Sequence, residues 1–365
     1  MKVRTWPALV AGLLVVASCG GSTEPATSGA PGNATTSSAP PTTVATTTTT
    51  SLEPGTTTTA PTTPSTTSTT TSATTTTTEP PGGGTTEPII TIPVGTDGIE
   101  YRGSGDEQEI QGPSLLAIDP GGTVHIVDPV GLRVLSFAAD SQSTIDIGQL
   151  DILSVTAIAA DANELLIVEV FFAPERHRVH RVGYDGSITE TIDLPVGFRL
   201  EDGLSGVRGG SDGQIILEYG GSESFGVWSP TEQSFERVAA LTGGPVTVTP
   251  RPPDLEIDGS VITADLTLSL GGTRYLGTAA DGTHVIVRED VLATNPAFDV
   301  LTTVEWYLPD GALLGSARVP SLAEQFISQV PGIAMYPDGR VVALVAFADE
   351  VQVLELARRP DRIVK

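Results

Sequence analysis

The chain of 365 residues carries 44 acidic and 19 basic side chains, a net charge of −25 with neutral histidines. Four of the acidic and two of the basic residues precede residue 88, which leaves 40 against 17, a net charge of about −23, for the rest. Proteins that bind DNA or RNA concentrate positive charge against phosphates, so this composition argues against a nucleic-acid partner.

Residues 1–18 have the features of an export signal. Two basic residues precede an apolar run over residues 8–17 that is too short to span a bilayer. The run ends in VASC, residues 16–19, and this quartet resembles the lipobox of bacterial lipoproteins. That resemblance implies cleavage before Cys19 and a diacylglyceryl thioether on its sulfur. An ordinary secretory signal with an incidental cysteine is the alternative.

Cys19 is the only cysteine in the chain. If it is lipidated, the exported part contains no thiol, which excludes disulfides and cysteine nucleophiles there. Acyl chains contribute about 0.8 kcal/mol per buried methylene, so a multiply acylated Cys19 would hold the protein at the outer face of the cell membrane without a transmembrane helix. The predicted partners are the membrane, through this anchor, and an extracellular protein or cell-wall ligand.

Residues 19–94 are predicted to be a tether, in which a disordered linker rich in Thr, Pro and Ser follows the lipidated cysteine. Residues 20–88 contain no aromatic side chain and too little apolar surface to offset the entropy cost of folding. About 70 residues of coil span roughly 50 Å on average and about 200 Å when extended. Such a tether would carry a domain into a cell wall, and its composition is also typical of O-glycosylated stalks.

Residues 95–365 carry the pattern of an all-β protein, in which short apolar runs alternate with turn sequences. One turn recurs with an apolar run on either side, at Gly121, Ala162, Asp212, Asp281 and Asp338. Second hairpins are predicted at Asp185, Pro230 and Asp310. The widest gap between recurring turns has room for a degenerate unit around Asp258 and Gly259. The pattern predicts a β-propeller of six four-stranded blades, each of roughly 43 residues.

The first unit resembles the repeat of the NHL-type six-bladed β-propellers: an apolar strand, a Gly turn, a second strand ending in Asp, and a loop with Arg before another apolar strand. The residues in these places are, in order, Ile118, Gly122, Ile126, Asp128, Arg133, Val134 and Phe137. Leu132 stands where the family usually has Asn or His, so ligand contacts from that loop do not carry over. Ring closure predicts that residues 99–110 pair with the terminal blade at residues 351–356.

An acidic residue recurs after the second strand of four units, at Asp128, Glu169, Glu218 and Glu289. If these strand ends approach the central channel, they would bind a cation or polarise a substrate, as in calcium-dependent lactonases of related shape. The alternative is structural, because in the NHL pattern the aspartate at this place serves the turn. No histidine or asparagine accompanies these acids in a repeated way, so no metal site is predicted.

The one basic cluster has the sequence RHRVHR over residues 176–181. In an extended strand Arg176, Arg178 and His180 share one face. Such a face could hold phosphate or carboxylate groups of a cell-wall polymer or a lipid headgroup. The alternative is a solvated outer strand whose charges discourage edge pairing.

Two further motifs predict no chemistry. The sequence GGSDG at residues 209–213 matches the GxSxG pattern of serine hydrolases, but it lies on a turn between two strands, whereas that nucleophile elbow needs a strand-to-helix turn and an oxyanion hole. His125 and His284 lie in second strands of different blades without metal-ligand spacing. The sequence assigns no catalytic residue and no cofactor.

These features favour a monomeric, surface-anchored binding or scaffold lipoprotein whose propeller recognises a protein, glycan or peptide. An enzyme of the lactonase or quinoprotein dehydrogenase type is the alternative, since both classes use propellers. That alternative needs converging metal ligands or cofactor-binding residues, and the sequence does not assemble them.

Overall fold

The computed structural model describes most of the chain after residue 87. The described residues are 88–95, 98–101, 112–150, 154–172, 175–199, 203–220, 222–242, 244–268, 271–294, 299–320 and 332–359. The predicted signal peptide, Cys19 and nearly all of the predicted tether lie outside them. Within these ranges no helix has the length and apolar character needed to cross a membrane.

Antiparallel strands in six sheets form the blades of a propeller, which confirms the predicted fold. Blade 1 consists of β2 (Leu116–Ile118), β3 (Val124–Asp128), β4 (Arg133–Ala138) and β5 (Ser141–Asp146). Blade 2 consists of β6 (Ser154–Ala160), β7 (Glu164–Phe172), β8 (Glu175–Gly183) and β9 (Ile188–Asp193). Blade 3 consists of β10 (Leu204–Gly209), β11 (Ile215–Tyr219), β12 (Phe225–Ser229) and β13 (Ser234–Val238).

The other three blades include one short sheet and one sheet built from both ends of the described chain. Blade 4 consists of β14 (Val248–Arg251), β15 (Asp254–Ile257) and β16 (Ser260–Ile262). Blade 5 consists of β17 (Gly271–Thr278), β18 (His284–Ala293), β19 (Asp299–Tyr307) and β20 (Leu313–Arg318). Blade 6 consists of β21 (Ile333–Met335), β22 (Val341–Ala346), β23 (Glu350–Glu355) and β1 (Pro88–Pro93).

The recurring turns lie where the sequence predicts them, between the first and second strands of blades 1, 2, 3, 5 and 6. In blade 3 this turn is a short 3-10 segment, Ser211–Gly213, between β10 and β11. The GxSxG sequence therefore lies on an exposed strand-to-strand turn. It lacks the strand-to-helix geometry that a nucleophile elbow requires.

Blade 4 is the degenerate unit. Its hairpin turns at Asp258 and Gly259, whose φ angles of 48° and 82° lie in the left-handed region that a two-residue hairpin needs. On the other side of this sheet, Leu241 makes a single antiparallel bridge with Val248. A one-residue bridge thus stands where a fourth strand would pair.

Apolar residues pack between neighbouring blades rather than in one central core. Buried clusters join blades 6 and 1, 1 and 2, 2 and 3, 3 to 5, and 5 and 6 in turn. Each sheet is therefore covered on both faces near the axis, and strands such as β3 and β22 are buried along their whole length. The outer strand β5 is exposed at all but one position. This gradient explains why second strands read as continuous apolar runs.

The ring closes at blade 6, but not through the predicted segment. Strand β1 pairs antiparallel with β23, so the N-terminal side of the domain supplies the outer strand of the last blade. The C-terminal partner was predicted correctly, whereas the assignment of residues 99–110 is wrong, because β22 and β1 occupy both edges of β23 and Ile99 bridges to Val94. Residues 102–110 of that segment lie outside the described residues. Pro88 and Pro93 made the segment resemble a linker in composition. An edge strand nevertheless tolerates proline at positions where the missing backbone N–H would have faced solvent.

The C-terminal end of the described chain covers a second outer edge. Arg359 forms an antiparallel bridge with Ser316 on β20, with N–O distances of 3.1 and 3.2 Å between the two backbones. Segments from both ends of the domain thus lie at the outer edges of blades 5 and 6.

Candidate functional site

Asp128 and Glu218, two of the four predicted acidic residues, are neutralised within their own blades. Asp128 is buried and accepts hydrogen bonds from the backbone N–H of Gly131 at 3.0 Å and from Nε of Arg133 at 2.9 Å. It serves the hairpin between β3 and β4. Glu218 lies 2.7 Å from a guanidinium nitrogen of Arg208 in blade 3.

The third acid, Glu289 of blade 5, is half-buried and stands in register with Gly272 and Thr302. The ion pair of this blade is formed by its neighbour, Arg288, which lies 2.7 Å from Glu305 on β19. Across the residues that the structure describes, no three His, Cys, Asp or Glu side chains are arranged to hold a metal ion.

The fourth acid, Glu169 of β7, is the centre of a buried cluster in blade 2. Its side chain is 1% exposed, and its Oε2 lies 2.7 Å from Nε2 of His180 on β8. The other ring nitrogen of His180 lies 3.0 Å from Oγ1 of Thr191 on β9. A guanidinium nitrogen of Arg176 lies 3.5 Å from Oε1 of Glu169. The carboxylate is therefore held between a histidine and an arginine.

Arg178 completes the face that the sequence predicts for Arg176 and His180. It stands opposite Glu169 in the register of β7 and β8, and its Nε donates to Oδ1 of Asp193 at 2.7 Å. The side chains of Arg176 and Arg178 remain 25% and 30% exposed. Two guanidinium groups thus lie at the surface beside a buried acid.

This arrangement suits an anionic ligand. A guanidinium carries five donors in a planar fork that matches carboxylate and phosphate oxygens. The contact between Arg176 and Glu169 is longer than an ordinary N–H···O hydrogen bond, and Arg178 is held by Asp193, whose side chain is 78% exposed. An exposed ion pair contributes only about 0–1 kcal/mol, so a ligand oxygen can replace Asp193 at small cost.

The two strand histidines singled out in the sequence lie in separate clusters. His125 is buried in blade 1, with Nδ1 at 2.9 Å from Oγ of Ser136 and its ring stacked on Tyr184 of blade 2 at 5.2 Å. Burial lowers the pKa of His125, and the Asp119 carboxylate at 3.5 Å opposes that shift. This histidine fastens blade 1 to blade 2.

The second histidine belongs to a polar chain beside the degenerate blade. Nδ1 of His284 lies 2.9 Å from Oγ1 of Thr278, which lies 2.5 Å from the hydroxyl of Tyr275. Burial lowers the pKa of His284, and Asp258 opposes the shift. The guanidinium of Arg208 lies 5.1 Å over the ring of Tyr275, so a side chain of blade 3 reaches the first strand of blade 5 past the reduced blade 4.

The chain has no match by sequence and is distantly similar to several solved structures. No protein-family model matches the chain, and no curated protein matches it. Virginiamycin B lyase from Staphylococcus aureus with quinupristin is 12% identical, with 71% of this chain and 99% of that chain covered and a TM-score of 0.42.

Two further solved structures are similar at the same level. A Bacteroides caccae protein of unknown function is 8% identical, with 57% of this chain and 81% of that chain covered and a TM-score of 0.41. Myxococcus xanthus glutaminyl cyclase is 12% identical, with 74% and 97% covered and a TM-score of 0.37. Similarity this low assigns no activity, and the propeller assignment rests on the strand order and pairing within this chain.

Proposed function

We propose that the chain is a surface-anchored recognition lipoprotein whose propeller binds a carboxylate- or phosphate-bearing ligand through Arg176 and Arg178. The proposed class of ligand rests on the pair of partly exposed guanidinium groups on one face of β8. The buried contact between Glu169 and His180 fixes the position of the strand that presents them.

The charge of the rest of the domain supports a local site of this kind. A net charge of about −23 after residue 88 repels an anion from most of the surface. Two adjacent arginines therefore mark one place where an acidic group is attracted. Such complementarity determines where a ligand docks and how fast it associates more than how tightly it binds.

Display outside the cell is the second part of the proposal. It is supported by the lipobox resemblance at residues 16–19 and by the Thr-rich tract that follows. This tract leads into β1, the outer strand of blade 6, at Pro88. A lipid on Cys19 and a long tether would present the propeller away from the membrane surface.

Binding of two anionic probes to the purified full chain tests the ligand class. The probes are hexaglutamate, which supplies carboxylates, and linear polyphosphate, which supplies phosphates. We expect at least one to bind at low ionic strength, with affinity reduced about tenfold or more by the double substitution Arg176→Gln and Arg178→Gln. The reason is that hydrogen bonds to charged groups contribute about 1.5–3 kcal/mol each, and about 1.4 kcal/mol is a factor of ten.

The matched control is the double substitution Arg251→Gln and Arg340→Gln, which removes two exposed arginines paired with Glu256 and Asp338 in blades 4 and 6. It should leave probe binding unchanged. Equal losses in both double variants, or no binding of either probe, would contradict the proposed ligand class. Thermal shifts with calcium or a quinone cofactor would instead favour the enzymatic alternative.

A further inference from the structure

A groove lies between the outer parts of blades 2 and 3. It is largely open to solvent and has a volume of about 450 Å³, within the range of about 300–1,000 Å³ that is typical of ligand pockets. Its floor is apolar, with Ile192 and Trp228 buried and Phe235 half-buried. Polar side chains including Glu190 and Ser234 form the rim.

The groove follows the edge of a strand. Four consecutive residues of β9, 190–193, line it. Side chains alternate between the two faces of a strand, so a groove that touches four in succession runs along the strand edge and not over one face. Among the described residues, β9 pairs with β8 on one side and is the outermost strand of blade 2. Its six residues offer an edge about 20 Å long.

The propeller already extends the outer strand of one other blade. Arg359 forms a one-residue antiparallel bridge with β20, the fourth strand of blade 5. The edge of β9 has the same antiparallel setting and an apolar floor beside it. A partner strand placed there would form backbone hydrogen bonds with β9 and direct alternate side chains towards Trp228 and Phe235.

The net negative charge of the domain indicates that the partner is basic. On the rim, Glu190 and Asp193 have side chains 37% and 78% exposed, and each pairs with an arginine of β8, Arg181 at 3.1 Å and Arg178 at 2.7 Å. Aromatic side chains at the centre of a contact with a polar rim are the usual composition of a protein-binding hot spot. An extended peptide with apolar residues at alternate positions and a positive charge matches both features.

We propose that this groove binds such a basic, extended peptide by β-strand addition to β9. The site is distinct from the arginine pair, although Asp193 borders both. The peptide contributes its backbone to the sheet, its apolar side chains to the floor formed by Ile192, Trp228 and Phe235, and its basic side chains to the rim.

Peptides of fixed composition and different order test the proposal on the full chain. The probes are a fluorescent eight-residue peptide that alternates valine with lysine, the same residues with the valines in one block, and the alternating peptide with glutamate in place of lysine. We expect the alternating lysine peptide to bind at least tenfold more tightly than the other two, and more weakly as salt is added.

Two substitutions locate the binding. Ser234→Trp fills the groove from an exposed position on β13 and should abolish peptide binding. Ser141→Trp adds the same bulk to the exposed outer strand of blade 1 and should leave it unchanged. The proposal is overturned if residue order has no effect on affinity, or if the Ser234→Trp variant binds the peptide normally. It is also overturned if a glucose hexamer binds the groove and the peptides do not.

Two single substitutions separate this proposal from the anion site. The single substitution Arg176→Gln should weaken binding of the anionic probes and retain peptide binding, and Ser234→Trp should retain binding of the anionic probes. If the wild-type protein binds only the anionic probes or only the peptide, the other proposal alone is contradicted.

Discussion

A fragment that begins at residue 95 is expected to lose the stable propeller that a fragment beginning at residue 80 retains. The shorter fragment lacks β1, which carries Ile92, 4% exposed, and the half-buried Ile90. Burial of each such side chain stabilises the fold by about 1.5–3 kcal/mol. Without β1 the edge of β23 is also open to aggregation. Since about 1 kcal/mol shifts the melting temperature of a domain this size by about 2–4 °C, we expect a decrease of roughly 10 °C or more.

Thermal unfolding of the two fragments, followed by circular dichroism, measures this effect. Two point variants of the longer fragment measure the contribution of single side chains of β1 to its stability. Ile92→Ala should cost about 2–5 kcal/mol of unfolding free energy because it empties a buried site. Ile89→Ala, at a side chain 42% exposed on the same strand, should change it by less than about 0.5 kcal/mol. Equal melting temperatures for the two fragments would show that β1 does not close the ring.

The substitution His180→Ala is expected to destabilise the propeller far more than Arg178→Ala, although both residues lie on β8 and both face a carboxylate. His180 supports Glu169, which is 1% exposed, so its removal leaves a buried charge whose ion-pair contact among the described residues is the longer one to Arg176. Breaking one partner from a buried pair costs about 3–5 kcal/mol. Arg178 pairs with the exposed Asp193, and such pairs contribute about 0–1 kcal/mol.

Urea unfolding of the two variants checks this difference. Similar losses of unfolding free energy in both would mean that the contact between Glu169 and His180 does not stabilise blade 2. The substitution Glu169→Gln supplies a further control, because it keeps the side-chain shape and a hydrogen-bonding oxygen while it removes the buried charge. It should cost less than His180→Ala.

The fold could be predicted from the sequence because turn chemistry recurs at strand-like spacing. Residues that accept left-handed backbone angles, such as Asp258 and Gly259, mark a hairpin even in the degenerate blade 4. The closing strand could not be predicted in the same way. Pro88 and Pro93 bound a short apolar run at the end of a proline-rich tract, and local composition does not distinguish an edge strand from a linker.

The candidate site was predictable in part. Alternation along β8 places Arg176, Arg178 and His180 on one face, and the structure agrees. The partners on β9 were not named from sequence, although a signal for them exists. A hairpin centred on Asp185 and Gly186 pairs residue 178 with 193 and residue 180 with 191, as the register shows. Turn position therefore carries the pairing information.

Contacts between blades follow from no local pattern. The stacking of Arg208 on Tyr275 joins blades 3 and 5 because blade 4 is reduced, and that depends on how the sheets are arranged around the ring. Glu305 was also missed, although an acid in the middle of the largely apolar strand β19 is a sign of a buried ion pair such as the one with Arg288. The groove beside β9 likewise arises from strands of two different blades, β9 of blade 2 and β12 and β13 of blade 3.

Lipid attachment at Cys19 is the central claim for the proposed display of the propeller, and metabolic labelling with an alkyne fatty acid tests it most directly. Wild-type protein should take up the label and partition into a detergent phase, whereas Cys19→Ala should remain unlabelled and either leave the membrane or stay unprocessed. An unlabelled wild-type protein, or equal detergent partitioning of both, would contradict the proposed anchor.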